Sequence, residues 1–218
     1  MSDTALVICG ALGREVKDVA DRRGWDVDVY GVPALLHLYP DRIVTAVRER
    51  LRALRPRYRR LVVVYGDCGT FGKLEPVLEE FGAARLSGPH CYEMYAGAEA
   101  FGRLAEEQPA TFFLTDWLVR NFERAVVRGL GLDRHPDLKP LLFGNYEHLL
   151  YLRQFPSEPL LARAHLIAAY LGLPLEVRQV GLGDLETRLA APVEEGEASL
   201  APTGSSPSSL AGEGWGGG

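Results

Sequence analysis

The stretch Leu61-Val62-Val63-Val64-Tyr65-Gly66-Asp67-Cys68-Gly69 decides the reading of this chain. Its first five residues are aliphatic or aromatic with no polar side chain to mark a wet face, so they predict a strand covered on both sides and central in its sheet. Two glycines, an aspartate and a cysteine follow at once. A buried strand that runs straight into such residues belongs to an open α/β sheet, whose ligand crevice lies beyond the carboxyl ends of its strands.

Outward from this strand, apolar runs and helical patterns alternate in both directions. Toward the amino terminus, residues 5–9 and 25–30 read as strands and 12–23 as a helix. Residues 40–54 read as a helix opened by Pro40, with Ile43, Val47, Leu51 and Leu54 on one face. Toward the carboxyl terminus, helices are expected over 73–81, 92–107, 158–171 and 182–189, and strands over 83–86, 110–114, 148–153 and 175–180. Thr115 and Asp116 cap a further helix whose apolar stripe is Trp117, Leu118, Phe122, Ala125 and Val126, and residues 129–136 form a turn region. Strands and helices at this spacing imply an α/β fold: one Rossmann-like domain over residues 1–191, with a mostly parallel sheet and helices on both faces. From Pro192 the composition turns to serine, proline and glycine, so residues 192–218 are expected to be a disordered tail. Trp215 alone does not make a core there.

The chain has 218 residues, 47% of them hydrophobic and 24% charged, enough for one substantial core. A formal net charge of -5 argues against a general nucleic-acid binder, which would present a basic face to phosphate. The arginines at 48, 50, 52, 55, 57, 59 and 60 read instead as a solvated helix end and its exit loop. No uninterrupted apolar run of about eighteen residues is present, so no membrane span is expected. The opening Met1-Ser2-Asp3-Thr4 has neither the basic nor the apolar segment of a secretory signal, and a cytoplasmic location follows as the expectation. Three cysteines, an odd number, then remain thiols available to a metal or to catalysis.

Those cysteines fall in three blocks, each after a strand. In the first, Gly66 and Gly69, with Gly72 beyond, let backbone pass close to a ligand or cofactor. Cys68 is expected near the amino end of the next helix, where the dipole favours thiolate; a tight turn, with Asp67 as cap and Cys68 as a buried filler, explains the same residues. In the second, His90, Cys91 and Glu93 offer nitrogen, sulfur and oxygen donors within four residues, a mixed set that suits zinc. The competing reading makes them a helix start with Glu93 as a capping partner and His90 exposed. Cys9 ends the first strand and gains meaning only if it meets the others. Cys9, Cys68, His90, Cys91 and Glu93 therefore form the candidate ligand set for zinc or a similar divalent metal. Asp67 and Asp116 are candidates to orient a ligand or move a proton. Arg120, one helical turn from Asp116, would take an anionic group of a substrate or simply pair with Asp116. Asn145, beside Tyr146, would hydrogen-bond a ligand or shape a turn, while His37, His135 and His148 read as structurally satisfied.

The motifs Tyr-Gly-Asp-Cys-Gly at 65–69, His-Cys-Tyr-Glu at 90–93, Leu-Thr-Asp-Trp-Leu at 114–118, Gly-Leu-Asp-Arg-His-Pro at 131–136 and Gly-Asn-Tyr at 144–146 resemble the domain-of-unknown-function family numbered sixteen thirty-eight, over about residues 4–190. Phe71 stands where the resemblance leads one to expect glycine. The resemblance implies a setting in one-carbon metabolism, with a corrinoid protein or methyltransferase as partner. The combined expectation is a metal-dependent enzyme acting on a small molecule, with corrinoid-linked methyl transfer as its setting. Its competitors are a non-catalytic metal- or corrinoid-binding accessory protein and a metal-free enzyme with Cys68 as nucleophile and His90 as base.

Overall fold

A computed structural model describes residues 2–86 and 88–198. Its first sheet contains β1 (Thr4–Cys9), β2 (Val27–Val32), β3 (Arg60–Val64) and β4 (Ala84–Arg85), all parallel, in the order β2-β1-β3-β4. The run at 61–64 occupies an interior strand, as its composition requires, and all four residues are fully buried. Around it pack α1 (Gly13–Arg23), α2 (Pro40–Leu54) and α3 (Glu75–Phe81). The face of α2 read from the sequence is the buried one: Ile43, Val47 and Leu51 are wholly inaccessible and Leu54 nearly so. Each such side chain contributes about 1.5–3 kcal/mol on burial, so this stripe holds the helix against β1 and β2.

The single sheet expected from the alternation is in fact two. Strands β5 (Thr111–Thr115), β6 (His148–Arg153) and β7 (Leu175–Gln179) form a second parallel sheet in the order β5-β6-β7. Strand β4 pairs with β3 through only Val62 with Ala84 and Val63 with Arg85, an edge with too few free backbone groups to carry another strand. The chain leaves it through α4 (Cys91–Ala96) and α5 (Ala98–Glu107). The continuous helix expected over 92–107 is broken between them by Gly97, whose φ of 83° ends one helix, while the Asp184 carboxylate accepts from Ala98 N to start the next.

Strand β6 unites the two halves, because both of its faces are buried in different company. Leu150 and Leu152 join the core of the first sheet; Leu149 and Tyr151 pack with Leu114, Val119, Phe122 and Ile167 in a second core. The second core lies under α6 (Asp116–Phe122), α7 (Lys139–Phe143) and α8 (Glu158–Leu171). Finally α9 (Leu185–Ala198) returns to the first core through Leu185, Leu189 and Val193. It carries past the expected tail boundary at 192, and Val193 is 1% exposed, so α9 still has an apolar side chain to bury beyond that point. The expectation for 199–218, Trp215 included, lies outside the described residues. No helix among the described residues is long and apolar enough to cross a membrane.

Candidate functional site

Parallel strands deliver the loops that follow them to one end of each sheet. At that end lies a cavity of about 490 Å³, within the size range of small-molecule sites. Every strand from β1 to β5 contributes to its wall through the segment that follows it: Ala11, His37, Cys68, His90 with Cys91, and Trp117. Ala125 and Val126, from a π-helical turn after α6, complete one side. The expected apolar stripe of that helix is thus divided. Phe122 faces the second core, Trp117 and Ala125 face the cavity, and Leu118 and Val126 touch both.

The loop after β3 is held by its own aspartate. Asp67 accepts from Thr70 Oγ1 at 3.0 Å, Phe71 N at 3.1 Å and Gly72 N at 2.9 Å, bonds that keep its carboxyl below the usual range, the Gly72 amide foremost. The turn so formed places two non-glycine residues in the left-handed region, Cys68 at φ 48° and Phe71 at φ 52°. It also zips onto the loop after β4: Asp67 N donates to Gly88 O at 3.3 Å and Cys68 N to Pro89 O at 2.9 Å. Gly66 permits this contact, because a Cβ there would stand 2.6 Å from His90 Cα. Cys68, His90 and Cys91 are therefore brought together by backbone, and all three line the cavity.

A match to a family model now assigns the chain: residues 32–189 fit the family described as "Protein of unknown function (DUF1638)". The chain belongs to the DUF1638 family. The matched segment runs from the last residue of β2 into α9 and takes in Cys68, His90 and Cys91, whereas β1 and Cys9 lie before it. No curated protein and no solved structure matches the chain. The glycine expected at position 71 from resemblance to the DUF1638 family makes physical sense, since φ at that position is positive.

Within this DUF1638 site the thiols are held neutral. Cys68 does not sit at a helix amino end, as its sequence position suggested: α3 begins only at Glu75, and burial pushes the Cys68 thiol up to about 12. Burial likewise raises Cys91 well above its ordinary value and raises Cys9; Cys68 would also feel the charge of Cys9, and Cys91 the charges of Cys9 and Cys68. The Tyr65 phenol lies among all three thiols. Its hydroxyl is beside Cys9 yet meets no partner at hydrogen-bonding geometry, and His37 stacks on its ring at 5.8 Å and 19°. His37 is fixed by a 2.7 Å contact of Nδ1 with Ala34 O, in the 3₁₀ turn after β2. His90 packs edge-on against Phe101 at 4.9 Å; its buried Nδ1 has no hydrogen-bond partner, and burial lowers its pKa, which favours the neutral ring.

Several expected site residues are placed elsewhere. Glu93 is gripped through both carboxylate oxygens by Arg188 of α9, one contact at 2.7 Å, so it anchors α4 and does not line the cavity. Asp116, wholly buried, accepts from Tyr151 Oη at 2.7 Å, Gln154 N at 3.1 Å and Phe155 N at 3.2 Å, while the backbone N–H of Asp116 donates to Gln154 Oε1 at 2.6 Å. Arg120 reaches Asp116 at 3.5 Å and is likewise absent from the cavity wall, which leaves the expected ion pair and removes the expected anion site. Asn145 is exposed just before β6, at the opposite end of the second sheet from Thr115, because the strands are parallel. Gly66 serves the loop contact and Gly69 does line the cavity; Cys9, 4% exposed, lies behind its wall. Among the described residues no three His, Cys, Asp or Glu side chains stand as a ready metal-holding group, Cys68, His90 and Cys91 included. The residues that the sequence reading missed are His37, Tyr65 and Trp117. Tyr65 and Trp117 sit inside the quoted motifs, but nothing local marks His37.

Proposed function

We propose that this DUF1638 protein is a metal-dependent enzyme in which Cys68, Cys91 and His90 turn from the cavity wall to hold a zinc-like divalent cation beside a small-molecule cavity. The observation that carries the reading is the backbone zipper between the two loops, which brings Cys68, Cys91 and a His90 ring with one unpartnered nitrogen to the wall of one cavity. Soft sulfur donors with one imidazole fit zinc, and an incomplete protein donor set leaves a coordination position for a ligand. A zinc ion bound there supplies Lewis acidity and holds its thiols deprotonated. The protein's own part is to fix the donors. Asp67 stabilises the turn that presents Cys68, Arg188 anchors α4 through Glu93 and so steadies Cys91, and the Phe101 ring orients His90. Transfer of a methyl group in a corrinoid-linked reaction is the finer form of the proposal. The cavity volume suits a small donor or acceptor, so a corrinoid would remain on a partner protein. Metal-free thiol catalysis is disfavoured by the burial that raises Cys68, since the nucleophile is the thiolate.

The test is cobalt(II) titration of the reduced full-length chain, read by the near-ultraviolet thiolate charge-transfer band. One equivalent is expected to saturate the band. Cys68→Ser and Cys91→Ser should each weaken binding by at least about tenfold, and Glu93→Gln should leave the band in place. No band, or equal cobalt affinity in both serine variants with unchanged circular dichroism, would overturn the proposal.

A further inference from the structure

We infer that in the metal-free chain the cavity at the strand ends is selective for an uncharged ligand with a flat, π-bearing face and one hydrogen-bonding group, and that Phe71 closes over that ligand. This rests on the reading of the cavity as a small-molecule site, and not on the metal.

The first observation is a charge census. No lysine or arginine lines the cavity among the described residues. Its one carboxylate, Asp67, has both oxygens committed to Thr70, Phe71 and Gly72. The nearby cations are committed too: Arg120 pairs with Asp116, and Arg85 with Glu75. In the metal-free chain a carboxylate or phosphate entering this space would give up its hydration and meet the negative charge of Asp67, with no side-chain cation in return. The second observation is the abundance of flat rings, since His37, Phe71, His90, Tyr92 and Trp117 all face the cavity. Rings stack on a ring, and that contact adds to ordinary apolar burial. The third is the His90 ring, which lines the cavity and has one nitrogen whose hydrogen-bonding capacity the chain leaves unfilled.

Phe71 supplies a fourth, independent observation. It holds φ at 52°, a conformation that costs a non-glycine residue on the order of 1 kcal/mol, yet its side chain is 86% exposed and gains almost nothing from the rest of the chain. The same residue lines the cavity. A large ring kept in a strained turn at a cavity mouth is buried only when something occupies the cavity.

Benzamide and benzoate have nearly the same shape and differ in charge, so they serve as the probes, titrated by calorimetry into the reduced, metal-free full-length chain. Benzamide is expected to bind at least about tenfold more tightly than benzoate. Phe71→Gly is expected to lower benzamide affinity several-fold while raising the urea midpoint, because the left-handed turn is then relaxed. Benzoate binding as tightly as benzamide, failure of both probes to bind at millimolar concentration, or unchanged benzamide affinity in Phe71→Gly would each overturn the inference. Because no metal is added, a failed cobalt titration leaves this result untouched, and preferential benzoate binding would leave the metal reading untouched.

Discussion

Two strand ends in this molecule hold buried polar groups in opposite states. After β5, Asp116 is wholly inaccessible, and its carboxylate accepts from a phenol and two backbone amides. After β3 and β4, Tyr65 Oη, beside Cys9 but without a partner at hydrogen-bonding geometry, and His90 Nδ1, without a partner, are buried among thiols that burial keeps protonated. Both ends lie near the junction of the two sheets and both come from motif residues. The difference teaches which of the two is already closed by its own chain. A polar group whose bonding capacity is filled from within the chain is a structural joint, whereas one left unfilled in a buried wall is a liability to the empty protein that a guest can relieve.

The sharpest way to break the comparison is Asp116→Ala. It leaves the Tyr151 hydroxyl and the amides of Gln154 and Phe155 without their acceptor inside the protein and leaves Arg120 unpaired. A loss of about 3–5 kcal/mol in urea denaturation is expected. If stability falls by less than about 1 kcal/mol while cobalt or benzamide binding is abolished, the joint is a functional group after all.

Titration separates the two ends next. Each thiol here has a folded pKa above its unfolded value, so its contribution is complete below the unfolded pKa near 9.0 and fades as pH rises through the folded one, about 12 for Cys68. Stability should therefore decline from pH 9 upward, at a rate limited to about 1.4 kcal/mol per pH unit for each thiol. Cys68→Ala should flatten that decline relative to the parent chain. An identical slope in both would mean that Cys68 is solvated enough to titrate freely, and would remove it from the set of neutral buried donors.

What was legible beforehand follows the range of the interactions. Strand β6 and helices α2 and α8 appear within the expected bounds because their burial patterns repeat over a few neighbouring residues. The glycine-rich exit of β3 was legible for the same reason, and Gly66 does permit the close approach anticipated there. The division into two sheets was not legible, since it depends on how short β4 is and on which strands β6 joins. Nor were the fates of the candidate carboxylates: Glu93 meets an arginine 95 residues away and Asp116 a phenol 35 residues away, with no local pattern to announce either. His37 is invisible in the sequence because its meaning is a stacking contact with Tyr65, made only after the first sheet forms.

The finest test compares two buried tyrosines, because it isolates a single oxygen in each setting. Tyr65 and Tyr151 are both fully inaccessible, and replacing either with phenylalanine removes the hydroxyl while keeping the ring. In Tyr151→Phe the Asp116 carboxylate loses its 2.7 Å donor and stays buried, so about 1–2 kcal/mol should be lost. In Tyr65→Phe no bond of good geometry is broken, and a buried hydroxyl that was already paying its desolvation cost disappears, so the change should lie within about 0.5 kcal/mol and can favour the folded state. The functional readouts should run the other way. Tyr65→Phe alters the surroundings of Cys9, Cys68 and Cys91 together and should shift the cobalt charge-transfer band, whereas Tyr151→Phe should leave the band unchanged in the folded protein. A costly Tyr65→Phe with an unmoved band would place its hydroxyl among the structural joints, and the distinction between the two strand ends would fail where it is most exposed to measurement.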